Sequence, residues 1–369
     1  MKKLACVLLV VAACGGSSST NPDGANSGPD AKVGGPPDLG TAPKTWAFVP
    51  ITGAKCMDGS DTGIGVNLGT NGDLVIYLEG GGACFNATTC ATVAHQSGFH
   101  QSDFQSTIAG YTDGIFDRND AKNPLKDATF VFVPYCTGDI HAGSNASGFG
   151  GRTQVGYQNV GKDLDYLLPK STNVGRVILT GSSAGGFGAM FNYDRVQTAF
   201  GDTPVTLIDD SGPPLSDTYL TPCLQQQTRQ YWNLNAALPD GCTACNQQDG
   251  GGLGNAATFV ADKHKDRRLA LITSTRDGVI RSFLGFGYPD CQSGGNPMPE
   301  QDYATGITEL RDTTLASHTN FKVWSIDSGL HVWLVGRGAL SSETSHGVTL
   351  GDWLTKMLSD DSSWNSVAP

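Results

Sequence analysis

The run Val177-Ile178-Leu179-Thr180-Gly181-Ser182-Ser183-Ala184-Gly185-Gly186-Phe187-Gly188-Ala189-Met190 constrains this chain more than any other. An apolar, β-branched stretch meets Gly181-x-Ser183-x-Gly185, and a small-residue, helix-compatible segment follows. Strand, serine, helix is the sequence form of a nucleophile elbow. The serine of an elbow sits on a sharp turn, where a side chain two residues before or after it would strike the neighbouring backbone. Glycine at both places removes the collision and permits strained dihedrals. The glycine-serine pattern alone is weak in a chain with 49 glycines, and the strand before it and the helix after it give it meaning.

The 369 residues suffice for one large domain or two modest ones. Only 16% are charged and the net charge is −11, without the basic patch that a nucleic-acid partner requires. The acidic balance also weighs against anionic partners, weakly, because salt screens it. At the N-terminus Lys2 and Lys3 precede a short apolar core, Leu4 to Ala13, that is too short to cross a bilayer as a mature helix. It ends in Val11-Ala12-Ala13-Cys14 and looks like a bacterial lipoprotein signal. Residues 1–13 are then a removed signal peptide, and Cys14 carries a lipid anchor that ties the protein to the outer membrane. Residues 14–44 hold Gly, Ser, Pro, Asn and Asp with few large apolar side chains, which reads as a flexible linker. Residues 45–369 form the catalytic domain.

With Cys6 and Cys14 set aside, eight cysteines remain: Cys56, Cys84, Cys90, Cys136, Cys223, Cys242, Cys245 and Cys291. An even number in an exported chain points to disulfides, though spacing does not fix the pairing. Cys242-x-x-Cys245 has half the spacing of a zinc site, but no matching Cys or His pair lies nearby, so no metal is expected.

Strand-like runs fall at Gly65–Leu68, Leu74–Leu78, Phe130–Pro134, Val177–Thr180, Val205–Ile208, Leu269–Thr273 and Phe321–Ile326. Helical patterns lie near 154–168, 186–199, 222–236, 254–265, 302–317 and 348–358. Val/Ile/Leu-rich strands alternating with helices predict an α/β fold, with a mostly parallel central sheet covered on both faces. The Gln-rich, Cys-bearing segment 212–255 reads as a disulfide-pinned cap inserted between two core strands.

A serine hydroxyl needs a base within hydrogen-bond reach, and the base needs an orienting acid. In α/β-hydrolases these follow in the order Ser, Asp or Glu, His. Of the four histidines after Ser183, His331 lies in a loop just past the strand Phe321–Ile326, where the base belongs. His264 and His318 fall in polar helical patterns, and His346 is the reserve. Asp277 lies in a loop just past the strand Leu269–Thr273, one strand later than its rivals, and is followed by Gly278. Asp209 and Asp210 compete from the end of the preceding strand, where short acidic side chains also cap turns. Leu78-Glu79-Gly80-Gly81-Gly82-Ala83-Cys84 follows another strand. Its glycines free backbone N–H groups to face a substrate oxygen, with the N–H of Ala184 as the second contributor. No Gly-Lys-Ser or Gly-Lys-Thr follows, which argues against a nucleotide.

Leu78-Glu79-Gly80-Gly81-Gly82-Ala83-Cys84-Phe85-Asn86 and Gly181-Ser182-Ser183-Ala184-Gly185-Gly186 together resemble the pectin acetylesterase and Notum family of carboxylesterases, over roughly residues 45 to 355. The resemblance implies an α/β-hydrolase fold and hydrolysis of O-acyl esters without a cofactor. It implies Ser183, Asp277 and His331 as the triad, Gly81, Gly82 and Ala184 as the oxyanion hole, and a local Cys84–Cys90 disulfide. The family often carries an aromatic residue where this chain has Gly82 and Ala83, a departure that widens the acyl pocket. The sequence is thus expected to encode an extracytoplasmic, monomeric serine esterase acting on an acylated polysaccharide or another ester. A polyester or lipid ester is the rival substrate. A non-catalytic carbohydrate- or lipid-binding homologue is the rival class, with a serine peptidase third.

Overall fold

The computed structural model describes residues 34–291, 295–336 and 339–369. The expected signal peptide, Cys14 and the first part of the expected linker lie outside the described residues. Eight strands form one sheet in the order β1-β2-β4-β3-β5-β6-β7-β8. These are β1 Trp46–Lys55, β2 Asp61–Asn67, β3 Asp73–Leu78, β4 Thr129–Val133, β5 Arg176–Ser182, β6 Val205–Asp210, β7 Leu269–Ser274 and β8 Phe321–Ile326. β1 and β2 run antiparallel at one edge, and the six strands from β4 to β8 are mutually parallel. The fold is an α/β-hydrolase.

Helices α1 Ala87–Cys90, α2 Gln101–Ile108, α3 Gly156–Leu167, α4 Ala184–Phe200, α5 Pro222–Trp232, α6 Asn255–Lys263, α7 Gly278–Leu284, α8 Glu300–Glu309, α9 Ala339–Ser342 and α10 Leu350–Leu358 surround the sheet. Alternate residues of each strand face opposite layers. Leu74, Ile76 and Leu78 of β3 join a core with α3, α4 and α6. Val75 and Tyr77 join the other, with Phe104 of α2 and Trp353, Leu354 and Met357 of α10. None of these helices is long and apolar enough to cross a membrane.

Three expectations need correction. The linker reading fails from residue 34. Gly35 N–H donates to Asn173 O, Asp38 N–H to Lys170 O and Lys44 N–H to Leu68 O, while Leu39 is buried in the core. One large apolar side chain and three backbone bonds dock a stretch whose composition otherwise reads as tether. The helix expected over 222–236 ends at Trp232, where Asn233 turns left-handed (φ 51°) and a 3-10 turn, Leu234–Ala237, follows. The helix expected over 302–317 gives way to a π-turn at Leu310–Thr314.

The segment 212–255, expected to form a cap, lies in the long connection between β6 and β7. Cys223–Cys291 ties α5 to the segment after α7, and Cys242–Cys245 closes a short turn. Cys56–Cys136 and Cys84–Cys90 complete the described disulfides.

Candidate active site

Ser183 is the single residue between β5 and α4, with φ 60° and ψ −120°. A non-glycine residue held there costs about 1–3 kcal/mol, which the surroundings must impose. The two glycines explain how they do so. A Cβ on Gly181 would stand 2.4 Å from Gly185 O, and one on Gly185 would stand 1.9 Å from Leu78 O. Any side chain there would push β3 off the turn. The N–H of Ser183 donates to Asp210 O at 2.7 Å, which fixes the elbow from the other side.

Asp277 begins α7 as its N-cap. Oδ1 accepts from the N–H groups of Val279 and Ile280, and the carboxylate is fully buried. Its other oxygen, Oδ2, lies 2.7 Å from Nδ1 of His331. A carboxylate only accepts, so Nδ1 carries the hydrogen and Nε2 is left as the basic nitrogen. Nε2 is buried and has no hydrogen-bond partner among the described residues. In substrate-free hydrolases the bond from nucleophile to base is often long and tightens with substrate. His264 instead contacts Asp194, His318 lies near Asp262, and His346 occupies an exposed turn.

Asp210 has a use that sequence reasoning missed. Its carboxylate accepts from Ser182 Oγ (2.8 Å), Ser211 Oγ (3.0 Å), Trp333 N–H (2.9 Å) and Leu334 N–H (2.9 Å). It therefore ties the elbow to the loop that carries His331. Burial pushes this carboxyl up from its usual range, and the donors around it oppose that shift. Val332, between His331 and Trp333, has φ 63°, a strained value for a β-branched residue. From the far side, Ser274 Oγ donates to Leu330 O and accepts from Trp333 Nε1. Asp209 keeps the modest turn-capping part: Oδ1 accepts from Gly212 N–H, and burial pushes its carboxyl well above the usual range.

The glycine loop after β3 lies beside the elbow. A Cβ on Gly80 would meet Ser182 O at 2.5 Å and Ser183 Cβ at 3.0 Å. Gly82 has φ 87°. The N–H groups of Gly81, Gly82 and Ala184 have no acceptor among the described residues. The carbonyls, by contrast, are held: Ala94 N–H donates to Gly81 O and Tyr135 OH to Gly82 O. Glu79 braces the base of the loop, accepting Tyr135 N–H at Oε2 and contacting His95 at Oε1. Cys84–Cys90 closes its exit.

A cavity of about 100 Å³ opens at Ser183 and Ala184 and runs beneath the segment 212–255. Phe85, Phe187, Trp232 and Phe283 dominate its walls, and Gln225 and Thr228 are its polar side chains besides Ser183. Gly82 and Ala83 also line it. Among the described residues no group of three His, Cys, Asp or Glu side chains could hold a metal.

The fold, the elbow and the Asp277–His331 pair define a hydrolase of the α/β class. A family model for pectinacetylesterase matches residues 47–249, more than half of the chain, and the protein belongs to that family. Relatives include the palmitoleoyl-protein carboxylesterase NOTUM of Schmidtea mediterranea, 32% identical over 162 residues that are 41% of this chain and 30% of that protein. The human protein of the same name is 31% identical over 151 residues, 39% of this chain and 30% of its own length. This chain thus spans about a third of the curated relatives it matches. The solved structure of the Wnt deacylase Notum from Drosophila shares the fold, with a TM-score of 0.62 at 19% identity, covering 87% of this chain and 94% of that one.

Proposed function

We propose that this protein is a serine carboxylesterase that hydrolyses O-acyl esters. The observation that carries the reading is the Asp277–His331 hydrogen bond, at the same carboxyl-terminal end of the parallel strands as a strained Ser183 that opens into an apolar cavity. Ser183 Oγ attacks the ester carbonyl carbon as its proton passes to His331 Nε2. The N–H groups of Gly81, Gly82 and Ala184 hold the oxyanion. The intermediate collapses, the C–O bond to the alcohol breaks, and His331 protonates the leaving oxygen. Water, deprotonated by His331, then releases the acid and restores Ser183. Asp277 holds the imidazole in the required tautomer and stabilises its charged form.

An acetylated polysaccharide is the first substrate class. The cavity favours a second, an ester with a longer apolar acyl group. Its apolar walls run from Ser183 to Leu253 and Leu284, well beyond the reach of one acetyl. The names of the NOTUM relatives, which describe a palmitoleoyl ester, point the same way. A panel of acetyl, butyryl, octanoyl and palmitoyl p-nitrophenyl esters, run beside acetylated polysaccharides and a polyester, decides among them. A fluorophosphonate probe is expected to label Ser183. Absence of labelling in the folded protein would sink the enzyme reading in favour of a non-catalytic homologue.

The four disulfides accord with an oxidising, extracytoplasmic setting. The leader and Cys14 support a lipid anchor there, and mass spectrometry of the mature N-terminus checks it.

Oxyanion donors act through preorganisation, and losing one costs up to about two to three orders of magnitude in turnover. Cys84→Ser with Cys90→Ser is therefore expected to lower kcat by about tenfold at a temperature where the fold persists. Cys242→Ser with Cys245→Ser, remote from that loop, is expected to lower the melting temperature and spare kcat. Full turnover in the first double variant would make its bridge structural only.

A further inference from the structure

A second cavity, of about 420 Å³, lies behind the first. Among the described residues Phe191 alone lines both. Two walls run on from one cavity into the other. Along α4, Phe187 faces the first, Phe191 both, and Arg195 and Thr198 the second. Steps of four residues, then one of three, place these side chains along one helix face, with rises of about 6 Å and about 4.5 Å. In the 3-10 turn after α5 and the residue that follows it, Leu234 faces the first cavity while Ala237 and Leu238 face the second. Phe191 itself is only 7% exposed. Its ring thus stands between the two cavities.

The two compartments differ in chemistry. The near one is apolar and starts at Ser183. The far one mixes Leu164, Phe191 and Leu238 with Arg195, Lys263 and Asp240. Both of its cations are engaged: Lys263 pairs with Asp194, and Arg195 lies 3.7 Å over the Tyr157 ring and donates to Tyr157 O. An alkyl chain threading past Phe191 would meet the apolar walls first and the wet mouth last.

We infer that Phe191 is the stop that sets acyl-chain length, and that the cavity behind it is a latent extension of the acyl site for long, unbranched chains. This rests on the esterase reading above. A chain that ends at Phe191 is accepted; a longer one must displace a buried ring.

The test uses Phe191→Ala and the milder Phe191→Leu in the full chain, assayed on saturated p-nitrophenyl esters from butyryl to palmitoyl. The ratio of kcat/KM for palmitoyl over butyryl is expected to rise by about tenfold or more in Phe191→Ala, since one or two accommodated methylenes already carry that much discrimination. It should rise less in Phe191→Leu. Leu238→Trp, added to Phe191→Ala, refills the far cavity and is expected to reverse most of the gain. In parallel, saturated fatty acids are titrated against Ser183→Ala with and without Phe191→Ala, reading the melting temperature. The fatty acid giving the largest rise should be longer when Phe191 is gone. Chain-length profiles that superimpose on the parent in both assays overturn the inference. A shift in fatty-acid binding with no Ser183-dependent hydrolysis of any ester upholds the latent extension and overturns the esterase reading instead.

Discussion

Ser183→Ala is expected to lower the turnover of a short p-nitrophenyl ester by about four to six orders of magnitude while the melting temperature stays close to that of the parent. The size of the loss follows from the loss of the attacking atom. The backbone donors and the acyl cavity remain, and they support only the residual acceleration that binding and oxyanion stabilisation give. The fold should survive because the strained residue becomes alanine, with the same Cβ and the same backbone bond to Asp210 O. Ser182→Ala is the control. Its hydroxyl is buried and donates to Asp210, so its removal leaves one carboxylate oxygen short of a donor but keeps the nucleophile. Its effect should be far smaller. Activity within tenfold of the parent in folded Ser183→Ala would remove Ser183 from the mechanism.

Local pattern carried much of this fold, and long-range bonding carried the rest. Each apolar strand run in the sequence corresponds to a strand of the sheet, because a strand buried on both faces must be apolar throughout. β1 escaped notice for the converse reason. It is an edge strand with four partly buried residues at its start and Pro50 within it, so it lacks a continuous apolar run. α7 was invisible because it has only seven residues and is started by Asp277, a residue read for its chemistry and not as a cap. The elbow was legible because its demands are local: two glycines, a strand and a helix. Asp210 was not, because its carboxylate meets backbone N–H groups 123 and 124 residues away, and no spacing rule encodes that pairing. Glu79 and Tyr135 brace the glycine loop across 56 residues and were missed for the same reason.

Asp277→Asn and Asp210→Asn separate these two kinds of residue. In Asp277→Asn the new amide keeps an oxygen for the N–H groups of Val279 and Ile280, so α7 should remain capped and the stability loss small. That orientation turns the amide NH2 toward Nδ1 of His331. Nδ1 must then accept, the ring hydrogen moves to Nε2, and the imidazole can no longer take the proton of Ser183. A loss of about four orders of magnitude in kcat is expected, with KM little changed. The amide of Asp210→Asn meets a different problem. Four groups donate to the present carboxylate, and an amide nitrogen placed among them leaves a buried donor unpaired, at a cost of about 1–3 kcal/mol. The melting temperature should fall, and the loop carrying His331 should loosen, but the tautomer stays correct and turnover should drop by far less. The assay is kcat, KM and melting temperature for both variants. If folded Asp210→Asn proves as inactive as Asp277→Asn, the tie from Asp210 to Trp333 and Leu334 controls the base as strongly as its own hydrogen bond does, and the assignment of Asp277 as the sole orienting acid fails.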